Sequence, residues 1–180
     1  DIYGQSIKYE QLPKNLINAV IITEDRRFFD HIGIDIIGIG RATIVNLKAG
    51  RIVQGGSTIT QQLAKNLFLS PERSITRKLH EAILSLWLEF RFSKKQILSI
   101  YLNRVYLGSG TYGVQAASEK YFNKKVEDLD LYECALIASL LKAPSKYNPI
   151  SNRNLSNERT KKVLRNMVNN NLVKISEIEQ

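Results

Sequence analysis

Apolar residues along the chain recur at the three- and four-residue spacing of helices, and the two-residue alternation of strands is weak everywhere except in the first few positions. Pro13 suits the first turn of a helix running to about Thr23. Asp35 can cap a helix through Ala49 that Gly50 would stop. Ser57 or Thr58 can cap a helix to about Leu69, and Ser70-Pro71 opens a long one to about Phe90, with Leu79, Ala82, Ile83, Leu86 and Trp87 on one face. Ser93 and Gln96 form a capping box ahead of a helix through Val105. Gly108, Gly110 and Gly113 mark a loop, and further helices are predicted at about 114–121, 131–142 and 155–169. The predicted class is mainly α.

Composition narrows the chemistry. With 180 residues, 43% apolar and 24% charged, the chain has the balance of a folded domain rather than a disordered one. Its length suits a single domain, or two small lobes. One cysteine, Cys134, excludes an internal disulfide and a cysteine-based zinc site, and two histidines exclude a His-rich cluster. The net charge of +9 favours an anionic partner: nucleic acid, an anionic membrane or a phosphorylated substrate. That charge is concentrated, since residues 41–104 hold 11 basic and 3 acidic side chains, a net +8. No run of 18 apolar residues could span a bilayer and no signal-peptide pattern opens the chain, whose abrupt start reads as a piece of something longer.

Four stretches could carry reactivity. In the first, the apolar run Ala19-Val20-Ile21-Ile22 delivers adjacent carboxylates, Glu24 and Asp25, to a helix end, followed by Arg26, Arg27, Phe28, Phe29, Asp30, His31 and Gly33. A carboxylate beside apolar walls can serve as a general base; a solvated helix end with a charge cluster would look the same. His31, with no second His or Cys near it, reads as a structural hydrogen-bonding residue. In the second, Gly55-Gly56 turns into a helix start lined with Ser57, Thr58 and Thr60, then Gln61, Gln62, Lys65 and Asn66. Free N–H groups at such a start suit phosphate, although the P-loop spacing is absent. In the third, Lys78 and Glu81 lie three residues apart and Arg77 and Glu81 four apart, on one helix face. Surface pairs of this kind contribute only tenths of a kcal/mol, but these sit inside the most basic stretch. The fourth, Lys94 to Gly108, reads as a structural amphipathic helix ending in an aromatic, glycine-bearing loop, with Tyr and Asn facing a groove.

In this order the stretches resemble the peptidoglycan glycosyltransferase domain of glycosyltransferase family 51, found in class A penicillin-binding proteins and monofunctional transglycosylases. The matching residues are Glu24-Asp25-x-x-Phe28-x-x-His31-x-Gly33, the run Gly55 to Asn66, Arg77-Lys78-x-x-Glu81, and Ile97-Leu98-x-x-Tyr101-Leu102-Asn103. A fifth block, Ala135 to Pro144 with Tyr147-Asn148-Pro149, also fits, so the resemblance spans about residues 5–170. His80, in the slot just before Glu81, is the one visible departure.

The resemblance implies a lysozyme-like α fold with a large head lobe and a smaller membrane-facing lobe, here about residues 30–55 of a single domain spanning 1–180. It implies that Glu24 is the catalytic base, Glu81 a second essential carboxylate and a candidate ligand for Mg²⁺ or Mn²⁺, and Asp25 a support for Glu24. It implies that Lys65, Arg73, Arg77 and Lys78 bind a lipid diphosphate, and that Arg41, Ser57, Gln61 and Gln62 line the groove. The implied reaction transfers a lipid-linked glycan strand onto the 4-hydroxyl of lipid II with inversion and release of undecaprenyl diphosphate. The implied partners are lipid II, the lipid-linked strand, the membrane surface and moenomycin-type inhibitors, with no nucleic acid and no organic cofactor. The implied setting is the extracytoplasmic face of the bacterial cytoplasmic membrane, with a transpeptidase domain following in the same chain. The basic stretch suits this chemistry, because a diphosphate leaving group needs its charge balanced more than it needs a proton.

Three further readings frame the expectation. The isoleucines at 32, 34, 36, 37 and 39, interrupted by Gly33 and Gly38, form either a core helix or a segment of the membrane lobe. A lysozyme-like hydrolase of the same glycan would share a catalytic glutamate but not need the cation cluster. A basic nucleic-acid binder would need more aromatic residues than the few in the basic stretch, and a helix-turn-helix or RNA-binding signature that is absent from the sequence.

Overall fold

A computed structural model describes residues 6–68 and 74–178. The described residues form eight α-helices, three short 3₁₀ turns and one isolated antiparallel bridge between Tyr106 and Tyr112, with no β-ladder. The helices are α1 (Lys14–Glu24), α2 (Ile36–Ala49), α3 (Ile59–Phe68), α4 (Ile75–Arg91), α5 (Lys94–Arg104), α6 (Val114–Phe122), α7 (Leu131–Leu140) and α8 (Arg153–Asn169). The mainly α class is therefore what the chain adopts. The chain divides into two compact units, Asp1–Arg26 with Ser99–Gln180, and Arg27–Leu98.

The first unit is built around α7. Every residue from Cys134 to Leu140 is buried, so this helix is apolar all round rather than amphipathic. Helices α1 and α8 pack on it and on each other. A capping box starts α7: Asp130 accepts from the Glu133 amide at 2.8 Å and Glu133 accepts from the Asp130 amide at 2.9 Å. The N-terminal segment is stitched to α5 by Asn103, which accepts from the Ile7 amide at 2.8 Å and donates to the Ile7 carbonyl at 2.8 Å. Ser99 donates to the same carbonyl. Asn103, expected to face a groove, thus completes the backbone hydrogen bonding of the strand-like segment that leads into α1.

The second unit pairs α3 with α4. Thr58 caps α3 reciprocally: its hydroxyl accepts from the Gln61 amide at 3.0 Å, and the Gln61 side chain accepts from the Thr58 amide at 2.9 Å. Gly50 ends α2 in the left-handed conformation, as its position predicted. Asp35 stands at the start of α2 but does not cap it. Its carboxylate turns instead to Arg27, at 3.3 Å, because a guanidinium is a stronger partner than a neutral amide. The expected Ser70-Pro71 start lies outside the described residues; α4 is capped by Ser74, which accepts from the Arg77 amide at 3.0 Å.

Helix α4 departs most from its apolar pattern. Leu79, Ile83, Leu86 and Trp87, on one face as predicted, are exposed, with Ile83 56% and Trp87 47% accessible, and Phe90 extends the stripe at 86%. The buried side carries Glu81, Ser85 and Leu88. On α2, Ile36, Ile37, Ile39, Ile44 and Leu47 are likewise exposed, so these isoleucines form no core helix. A direct check compares urea denaturation of two variants. Ile83→Ser is expected to leave stability within about 0.5 kcal/mol of the parent, as for an exposed site, whereas a core position would lose several-fold more. Asn103→Ala is expected to cost about 1–3 kcal/mol, because the Ile7 amide loses its partner.

Candidate active site

Glu24 is the last residue of α1, half-buried, and Asp25 follows it as the helix ends, 6% exposed with its amide bonded to the Ile21 carbonyl at 2.9 Å. The apolar face of α1, Leu16, Ala19 and Val20, is wholly buried and fixes where these carboxylates emerge. Within the same unit, Tyr101 of α5 is 1% exposed. Burial pushes its phenol well above the ordinary range, and the negative charges of Glu24 and then Asp25 push it further the same way. Tyr101 therefore stays a neutral hydroxyl beside the carboxylate pair.

The second unit holds the cationic residues. Lys78 of α4 directs its ammonium to the Ser57 hydroxyl at 2.8 Å and to Glu81 Oε1 at 2.5 Å. The Glu81 side chain is 4% accessible while Lys78 is 48% accessible. A buried carboxylate thus anchors an ammonium that still reaches solvent, and the serine ahead of α3 completes the cluster. Arg77 is half-buried and its Nε is enclosed without a hydrogen-bond partner. That donor has no acceptor among the described residues. Lys65 is exposed in the last turn of α3, Arg41 is exposed on α2, and Gln62 is half-buried. Gln61 is buried, its side-chain oxygen engaged by the Thr58 amide. Arg73 lies outside the described residues. The structure thus brings Ser57, Lys78 and Glu81 into direct contact.

Among the described residues no three His, Cys, Asp or Glu side chains gather as a metal centre. Glu81 supplies a single carboxylate, one oxygen of which bonds the Lys78 ammonium. These residues alone do not complete the oxygen coordination of Mg²⁺ or Mn²⁺.

Sequence reasoning overlooked a second carboxylate–ammonium pair, between Glu89 of α4 and Lys94 of α5. Glu89 Oε1 accepts from Lys94 at 2.7 Å and from the Thr60 hydroxyl at 2.6 Å. The two residues are five apart and belong to successive helices, a spacing outside the three- and four-residue rule by which helix pairs are read. His31, in contrast, is structural as expected, with its Nδ1 accepting from the Gly33 amide at 3.0 Å.

The buried Glu81 carboxylate and the Ser57 hydroxyl ahead of α3 thus hold a half-exposed ammonium, an arrangement suited to meeting an anion. The chain belongs to the transglycosylase family, whose profile matches residues 2–168. It is 51% identical over 174 residues to penicillin-binding protein 1A of Aquifex aeolicus, covering 97% of this chain and 24% of that protein. It is 46% identical over 172 residues to penicillin-binding protein 1B of Haemophilus influenzae, covering 93% and 22%. A crystal structure of penicillin-binding protein 1A from Haemophilus influenzae aligns with 67% of this chain and 15% of that one, at 34% identity and a TM-score of 0.47. The chain spans about a quarter of the length of the curated relatives it matches.

The phenol beneath the carboxylates gives a pH test. In the folded chain Tyr101 and Tyr121 both hold their protons above the ordinary phenol range, chiefly through burial. The unfolded chain releases them first, so their contribution to stability is intact below pH about 10 and declines as pH rises beyond it. Ultraviolet titration is expected to show the Tyr101 and Tyr121 phenols ionising above the ordinary range in the native chain and within it in denaturant.

Proposed function

We propose that the chain polymerises the glycan of the bacterial cell wall, transferring a growing lipid-linked strand onto the 4-hydroxyl of lipid II. Glu24 removes the hydroxyl proton. The freed oxygen electron pair forms a bond to the anomeric carbon of the strand's terminal sugar, and the bond from that carbon to the diphosphate oxygen breaks with its electrons. Undecaprenyl diphosphate leaves, and the configuration inverts to β-1,4. Asp25 supports Glu24.

The observation that carries this reading is the Lys78–Ser57–Glu81 cluster. A departing diphosphate develops negative charge and is stabilised by fixed cations. A glycosidase would instead need a carboxylic acid free to protonate a sugar alkoxide, whereas Glu81 is engaged with an ammonium. Family membership favours transfer over the lysozyme-like alternative. In this reading Lys65, Arg73, Arg77 and Lys78 hold the diphosphate, with Glu81 setting Lys78. Arg41, Ser57 and Gln62 line the groove, and Gln61 holds the start of α3 beside them.

Residues 1–180 form one glycosyltransferase domain in this reading, and about 30–55 face the membrane. Supporting that, the exposed isoleucines of α2 share their segment with Arg41, Lys48 and Arg51, and no acidic residue occurs from Ile36 to Pro71. Exposed apolar side chains interleaved with cations suit the interface of an anionic bilayer. No described helix is long and apolar enough to cross a membrane. The reading sets the chain at the extracytoplasmic face of the cytoplasmic membrane, in a longer protein that includes a transpeptidase domain.

Two substitutions test the assignments in a lipid II polymerisation assay. Glu24→Gln is expected to lower turnover by about 10²–10⁴-fold, as for loss of a general base; near-parental turnover would remove Glu24 from that role. Lys78→Ala is expected to weaken both donor use and binding of a moenomycin-type inhibitor. Unchanged values would remove Lys78 from the diphosphate site.

A further inference from the structure

The most connected polar cluster in the second unit lies apart from Lys78. Lys94, at the first turn of α5, sends its ammonium to Glu89 at 2.7 Å, lies 3.4 Å from His31 Nδ1 and stands 4.8 Å above the Phe28 ring. Glu89 also accepts from Thr60 at 2.6 Å. Both side chains are largely enclosed, 19% accessible for Lys94 and 10% for Glu89. A buried ion pair is costly to isolate, so each partner makes the other mandatory.

What surrounds the pair is the loop that follows Glu24 and Asp25. Phe28 is fully buried under the ammonium. Gly33 has φ +106°, and a side-chain carbon there would come within 2.9 Å of the Ser85 carbonyl and 3.1 Å of the Glu89 side chain, so the loop lies directly on α4. The Gly33 carbonyl accepts from Thr58 at 2.6 Å, the residue next to Ser57. One ion pair therefore touches the loop, the first turn of α3 and α4 at once. Glu89 stands eight residues from Glu81 along α4, a rise of about 12 Å.

We infer that Lys94 and Glu89 are positioning residues for the transfer reaction. Their ion pair holds the loop from Phe28 to Gly33 and the start of α3 against α4, in the register that brings Ser57 to Lys78. Neither residue touches the substrate. The inference rests on the glycosyl-transfer reading above, since it is in that reaction that Ser57 and Lys78 act.

The test measures lipid II polymerisation by the intact chain and three variants, with amide hydrogen exchange at Gly33 as a second readout. Lys94→Met keeps the length and removes the charge. It is expected to raise KM for lipid II about tenfold with a much smaller change in kcat, as for misplaced binding groups. It is also expected to speed exchange at Gly33 while leaving Val20, in the other unit, unchanged. Lys94→Arg keeps a cation over Phe28 and a donor for Glu89, and is expected to restore KM. Glu89→Gln covers the case in which Lys94→Met does not fold; it is expected to raise KM about threefold by weakening a charge-assisted bond. The inference is overturned if the folded variants keep the parental KM and the parental exchange at Gly33, or if Lys94→Arg is as impaired as Lys94→Met. Absence of polymer with the parent chain would strike the functional reading instead, and the Gly33 exchange would still report on the ion pair.

Discussion

Helix α4 is amphipathic in the reverse sense. Its carboxylates, Glu81 and Glu89, point inward, and its aliphatic and aromatic residues, Ile83, Leu86, Trp87 and Phe90, point outward. A buried carboxylate needs a cation and hydrogen bonds: Glu81 takes the Lys78 ammonium, which also donates to Ser57, and Glu89 takes Lys94 and the Thr60 hydroxyl. The requirement to satisfy two inward carboxylates draws the start of α3, the start of α5 and the Phe28–Gly33 loop onto α4. The arrangement of the second unit follows from that requirement together with the burial of Phe28, Ile59, Leu63 and Leu88.

The same inversion links the two surfaces that the proposed function uses. With the carboxylates inside, Lys78 is anchored at its tip yet remains half-exposed, which suits an ammonium that must meet a diphosphate oxygen. With the apolar residues outside, the helix offers Ile75, Leu79, Ile83 and Phe90 over about 22 Å of its length, at 1.5 Å per residue. In the proposed function, substrate headgroup chemistry and contact with lipid would therefore use different faces of one helix. The first unit solves a simpler problem. It buries α7 from Cys134 to Leu140 and packs α1 against it, so that Glu24 and Asp25 leave the end of a packed helix beside a phenol that stays neutral.

Much of this was legible from residue order. The helices, the left-handed end at Gly50, the reciprocal cap at Thr58 and the contact of Lys78 with Glu81 all follow from local spacing, and local spacing survives folding. What was not legible depends on partners distant in sequence. Asp35 abandons its capping role for Arg27. Asn103 turns to Ile7, 96 residues away, and Lys94 reaches back to His31 across 63. The outward face of α4 was hidden for another reason: periodicity locates an apolar face but does not say whether it meets protein or lipid.

The central claim is that a carboxylate base and fixed cations carry glycosyl transfer rather than hydrolysis. The most direct measurement incubates the chain with lipid II in one reaction and with preformed glycan strands in another, and follows strand length and release of undecaprenyl diphosphate. Growth of strands from lipid II with matched release of the diphosphate, and no shortening of preformed glycan, is the predicted result. Shortening of the preformed strands without growth from lipid II would contradict it.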